Sequence, residues 1–218
     1  MKKRYIVLSL SIIAASVLCL AFMHGFRTSS SRKEDRYPYI EPQPSALLNA
    51  ALQYIETHPK YKSRYYAGGY PDDHCGTCTD VIGFALRECG YDLRTRLNED
   101  VIAHRERYEI KDPDIDIDFR RVKNLKVYFS FNEQVCTADI QDIGEWLPGD
   151  IVIFRDHIGM ISDRRNERGI PYVIHHSGPF QLQYEEDILE TRNDLQLHIR
   201  IKDSSLQSTS ENGEESEQ

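Results

Sequence analysis

Trp146-Leu147-Pro148-Gly149-Asp150-Ile151-Val152-Ile153-Phe154-Arg155-Asp156-His157-Ile158-Gly159-Met160-Ile161-Ser162 marks a change in the character of the chain. Residues 150–154 and 158–162 are short β-prone runs, and Pro148-Gly149 is the turn signal ahead of them. Runs of the same kind follow at 172–176 and 196–201. Upstream, the spacing of apolar residues is helical. In residues 45–57, Ser45 is placed to cap, and Leu47, Leu48, Ala51, Leu52 and Ile55 fall on one face. A second helix is predicted from near Cys78 to Gly90. Thr77-x-x-Asp80 has the spacing of a capping box, Ile82, Ala85, Leu86 and Cys89 share a face, and Gly90 suits the position after the last turn. Residues 120–131 are a candidate third helix. Helices first and strands afterwards predict an α+β domain with an antiparallel sheet.

That domain occupies residues 45–202, enough for one core that buries roughly 70% of its unfolded surface. Its flanks read differently. Lys2-Lys3-Arg4 precedes an apolar run from Tyr5 to Met23, broken only by Ser9, Ser11 and Ser16. At the helical rise this run spans about 28 Å, close to the hydrocarbon thickness of a bilayer. The basic flank stays on the cytoplasmic side, so the rest of the chain is expected outside the cytoplasm. Residues 1–23 are therefore a signal anchor or a signal peptide. The length of the run and the lack of a small-x-small site after it favour the anchor. Cys19 follows Leu18 rather than a small residue, which argues against a lipoprotein signal. Residues 24–44, with Pro38, Pro42 and Pro44, read as a polar linker. Residues 203–218 carry five acids and no base and read as a disordered acidic tail.

The whole chain has 35 acidic against 27 basic residues, a formal net charge of −8. Four of the basic residues (Lys2, Lys3, Arg4 and Arg27) lie in the first thirty positions, so the remainder is more acidic still. A polyanion binder shows the opposite balance, which sets nucleic acid aside as a partner. Five cysteines are too few for a disulfide-knotted miniprotein of this length.

Cys78 is the first candidate for chemistry. A cysteine in the first turn of a helix sits among unpaired N–H groups and the positive end of the dipole, which favour a thiolate. Once a histidine shares its proton, such a thiol is a nucleophile. His157, at the start of a strand, is a candidate base, and Gly159 beside it would let a substrate approach. His175 could hold the imidazole of His157 in one tautomer, as the third member of a triad does. Strand alternation puts His175 and His176 on opposite faces, so only one of them can face the site.

These residues resemble a known arrangement. Tyr65-Tyr66-Ala67-Gly68-Gly69, then Cys78 opening a helix that ends in Arg87-Glu88-Cys89-Gly90, resembles the NlpC-type cysteine peptidase domain. Residues 147–154 followed by Asp156-His157-Ile158-Gly159 are similar to that family's histidine region. More closely, Cys78-Thr79-Asp80-Val81, Asp112-Pro113-Asp114-Ile115-Asp116 and Arg120-Arg121-Val122-Lys123-Asn124-Leu125 resemble an exported bacterial family of domains of unknown function, grouped with the same papain-like fold. The resemblance covers residues 60–201. It implies N-terminal helices, one carrying the cysteine, packed on an antiparallel sheet. It also implies a hydrolase acting on amide bonds, often in cell-wall peptides, that needs neither a metal nor an organic cofactor. By the same resemblance Cys78 is the nucleophile, His157 the base and His175 the orienting residue, and Tyr65 lies near the oxyanion hole with the N–H of Cys78 as a second donor. The peptidoglycan hydrolases of that family read Asp-Cys-Ser-Gly across the nucleophile, whereas this chain reads Thr77-Cys78-Thr79-Asp80. Asp80 is thus open to two roles, recognising a substrate amine or capping the helix.

Other readings compete. Cys75-Gly76-Thr77-Cys78 is a CxxC at a helix start, as in a thioredoxin-like oxidoreductase, but the stretch before it is rich in Gly, Pro and Asp where that fold has a buried strand. A zinc site from Cys75, Cys78, Cys89 and Cys136, or with His74, lacks a second CxxC. The same cysteines could form disulfides, with Cys89–Cys136 one pairing that leaves Cys78 free. Asp112, Asp114, Asp116 and Asp118 alternate as calcium ligands do, but the glycine of an EF-hand loop is absent, so a solvated loop is expected. A non-catalytic module that keeps the fold and binds wall peptides is the remaining alternative.

Overall fold

The structure, a computed structural model, describes residues 46–202. The signal anchor or signal peptide, the linker with Ser45, and the acidic tail fall outside the described residues. Among those described, no helix is long and apolar enough to cross a membrane.

Four helices and an antiparallel sheet make up an α+β domain. Helix α1, Ala46–Glu56, buries Leu47, Leu48, Ala50 and Ala51, and the chain leaves it through His58 in a left-handed conformation. Strands β1 (Lys60–Tyr61) and β2 (Cys75–Gly76) form a separate parallel pair. Helix α2, Cys78–Glu88, presents Val81, Ile82, Ala85 and Leu86, all fully buried. It ends as its sequence requires: Gly90 adopts φ +80, which a side chain would resist, and Tyr91 N–H closes the turn on Leu86 O at 2.9 Å. Helix α3, Leu93–Ala103, was not among the expected elements. Asp92 caps it by accepting from Thr95 N–H at 3.0 Å, and its buried stripe is only Leu93, Leu97 and Val101. Helix α4, Val122–Asn132, starts later than the expected residue 120, because Asp118–Arg120 forms a short 3-10 turn.

The six-stranded sheet consists of β3 (Gln134–Val135), β4 (Ile151–Phe154), β5 (Ile158–Arg165), β6 (Pro171–Ile174), β7 (Glu185–Glu186) and β8 (Leu195–Arg200). Its spatial order is β3-β8-β4-β5-β6-β7, and each neighbouring pair is antiparallel. Side chains alternate across it. Ile151, Ile153, Ile158, Met160, Ile174 and Ile199 join the core shared with the helices. Val152, Phe154, Ile161 and Val173 pack on the opposite side with Trp146, Ile170 and Leu189. Both faces of the central strands are therefore covered, which explains why 151–154 is continuously apolar. Trp146 is fixed there by donating to Asp139 O at 3.0 Å and by stacking on His198 at 4.0 Å between ring centroids.

Candidate active site

Cys78 is the first residue of α2, and the sequence around it secures that start. Asp80 Oδ2 accepts from Thr77 N–H at 2.7 Å and from the Thr77 hydroxyl at 3.0 Å. The N-terminus of α2 meets strand β5, so the half-buried thiol approaches the backbone N–H of Ile158, the residue directly after His157. Burial pushes the thiol up to about 11. The N–H groups of Ile158 and Thr79 pull the other way, and the nearby Asp80 adds to the rise. The expected thiolate is thus overridden at rest: loss of solvent outweighs the helix terminus.

His157 is held by a tight hairpin. Ile153 pairs with Ile158, and Phe154 N–H donates to His157 O at 2.9 Å, leaving Arg155 and Asp156 at the tip. The imidazole is 8% exposed, and its Nε2 lies 2.9 Å from His175 Nδ1. His175 follows the last residue of β6, with its N–H on Tyr184 O at 2.8 Å, and its Nε2 lies 2.9 Å from Glu186 Oε2 on β7. His157, His175 and Glu186 therefore form a line of side chains running across three neighbouring strands. Burial first, and the neighbouring His175 next, depress His157 to about 3. Burial also lowers His175, against the opposing pull of Glu186. At neutral pH the resting groups are a neutral thiol and neutral imidazoles.

His175, not His176, joins this line. His176 packs edge-on against Tyr61 and Tyr184, with centroids 5.2 and 5.1 Å away. Gly159 has a different function from the one expected. A Cβ there would lie 2.5 Å from Val173 Cγ1, 2.9 Å from Ile174 O and 3.3 Å from His175 Cβ. The close approach it permits is that of β6 and His175, rather than that of a substrate.

Asp80 faces inward at 1% exposure. Arg120 holds it with two hydrogen bonds, Nε to Oδ1 at 2.7 Å and one terminal nitrogen to Oδ2 at 2.9 Å. With Thr77 on the same carboxylate, its contacts are those of a helix cap and ion-pair partner. Tyr65 is 55% exposed and donates to Asp116 Oδ2 at 3.4 Å. It lines a cleft of about 290 Å³ with Ser63, Arg64, Thr77, Ile117, Arg120 and Arg121. The cleft thus adjoins the residue before Cys78, but the Tyr65 hydroxyl is directed at a carboxylate.

Of the alternating aspartates, Asp112 is exposed as expected, whereas Asp114, Asp116 and Asp118 accept internal hydrogen bonds. Asp118 accepts from Asp114 N–H at 2.8 Å, and Asp116 accepts from Gly68 N–H at 3.0 Å and from Arg94. Among the described residues no group of three or more His, Cys, Asp and Glu side chains is placed to hold a metal ion. Cys75, Cys78, Cys89 and Cys136 are all free thiols, and Cys75 is buried on β2, outside the helix that Cys78 opens. Sequence reasoning did not find Glu186 or the role of Arg120. Glu186 lies in an acidic run, Glu185-Glu186-Asp187, with nothing to single it out.

Comparison with known proteins places the chain in a family. No solved structure matches it. It is 33% identical over 193 residues to the uncharacterized protein YijF of Escherichia coli (strain K12), an alignment covering 80% of this chain and 92% of that protein. The model of the domain of unknown function DUF1287 matches residues 48–201, the helices and sheet that carry Cys78, His157 and His175. The chain belongs to the DUF1287 family.

Proposed function

We propose that this chain is a papain-like, NlpC-type cysteine hydrolase that cleaves an amide bond in cell-wall peptides outside the cytoplasm. Residues 1–23 would tether it to the membrane. The observation that carries the reading is the meeting of Cys78, at the start of α2, with the β4–β5 hairpin, whose His157 is backed by His175 at 2.9 Å. A neutral imidazole is the form able to act as a base. His157 takes the thiol proton as the sulfur attacks the acyl carbon, then gives it to the leaving amine, and water releases the acyl-enzyme. The N–H groups of Ile158, Thr79 and Cys78 around the sulfur favour negative charge developing there.

The test uses the full-length chain on purified peptidoglycan and its peptide fragments, with new amine and acyl ends read by mass spectrometry. The wild type should release peptides, and Cys78→Ala and His157→Ala should lose at least about a hundredfold. Iodoacetamide should label Cys78 slowly at neutral pH, faster as the pH rises toward 11, and more slowly still in His157→Ala. Absence of cleavage, together with a Cys75 that reacts first and ignores His157, would instead indicate a CxxC redox protein.

A further inference from the structure

The line His157–His175–Glu186 has a direction, set by which atoms can donate. A carboxylate only accepts, so the His175 Nε2 that meets Glu186 Oε2 at 2.9 Å carries a proton. A neutral His175 then offers Nδ1 as an acceptor, and the His157 Nε2 at 2.9 Å must donate to it. The remaining nitrogen of His157, Nδ1, is left with its lone pair.

We propose that Glu186 is a positioning residue that holds both imidazoles in their Nε2–H tautomers and so leaves Nδ1 of His157 as the basic atom for the Cys78 thiol. This rests on the reading of Cys78 and His157 as nucleophile and base. Burial supports it by keeping both rings neutral, the only state in which tautomer choice matters.

The alternative arrangement is close at hand. Gln181 Nε2 lies 3.4 Å from the same His175 nitrogen and donates to His175 O at 3.2 Å. An amide nitrogen cannot accept a proton from His175 Nε2. Without Glu186 it would favour the Nδ1–H form of His175, which donates to His157 Nε2. His157 would then carry its own proton on Nδ1 and present an N–H, not a lone pair, to the sulfur. Glu186 is set against this by its place on β7, where it pairs with Val173 of β6.

The experiment is long-range proton–nitrogen NMR of the full-length chain with labelled histidine near neutral pH. Signals are assigned by loss in His157→Gln and His175→Gln. The wild type should show both rings as Nε2–H. In Glu186→Ala both should move toward Nδ1–H, and iodoacetamide labelling of Cys78 should slow about tenfold. Glu186→Gln keeps an accepting oxygen and should retain the wild-type ring pattern and rate. A merely structural role would lower the unfolding midpoint of Glu186→Ala but leave both ring patterns unchanged. That result, or an Nδ1–H His175 in the wild type, would overturn the proposal. Labelling of Cys78 that ignores His157→Gln would overturn the reaction itself, whatever the ring patterns show, so the two failures are distinguishable.

Discussion

Asp80 is a small carboxylate asked to stabilise two things at once. It closes the first turn of α2 through Thr77, and it neutralises Arg120, whose side chain is only 3% exposed. Arg120 in turn donates to Arg64 O at 2.8 Å, tying the cleft wall to the helix that opens with Cys78. Breaking one side of a buried ion pair strands the other charge away from water, at a cost of about 3–5 kcal/mol. Asp80→Asn should therefore lower the urea-unfolding free energy by that order, and adding Arg120→Gln should recover a large part of the loss. Unchanged stability in Asp80→Asn would show that water already reaches the pair. The capping half of this arrangement is legible in Thr77-x-x-Asp80, because four consecutive residues contain it. The Arg120 half is not, because its partner lies forty positions away and Arg121 is an equally plausible choice on paper.

The hairpin of β4 and β5 carries the site as an element. Its two-residue tip fixes His157, and Gly159 lets β6 come close enough for His175 to reach it. Gly159→Ala would press a methyl group into Val173 and the Ile174 carbonyl. Such overpacking costs about 1–3 kcal/mol, and the backbone shift that relieves it moves His175 away from His157. The expected result is a lower unfolding midpoint together with slower labelling of Cys78. Gly178→Ala, where an added Cβ meets nothing within 4 Å, should change neither. A Gly159→Ala protein with wild-type labelling would separate strand packing from the site. The four long runs of the sheet are legible because apolar, β-branched residues repeat between turn signals. The two-residue strands and helix α3 are not. Helix α3 buries three residues in an otherwise charged stretch, too thin a stripe to stand out, though Asp92 marks its start. Strand β7 is two glutamates, whose pairing depends on the presence of β6 rather than on any preference of their own.

The same groups that define the site should set the pH range in which the whole molecule is stable. Unfolded, His157 takes up a proton near 6.5, but folded it resists until about 3. Between those values the unfolded chain binds more protons than the native one, so stability falls as the pH drops from about 6.5 toward 3. His175 and His176, both lowered by burial, act in the same direction. At the other end, an unfolded thiol ionises near 9 while folded Cys78 resists to about 11, so stability also falls as the pH rises between them. Cys89 and Cys136, raised by burial, add to that alkaline loss. A tenfold difference in proton affinity between the folded and unfolded chain corresponds to roughly 1.4 kcal/mol, so either limb amounts to a few kcal/mol, a sizeable share of a domain's stability. Unfolding midpoints should therefore form a plateau between about 6.5 and 9, with His157→Gln flattening the acid limb and Cys78→Ala the alkaline one. An acid limb that persists unchanged in His157→Gln would mean that the imidazole is hydrated in the folded protein. An imidazole kept neutral by burial requires the opposite.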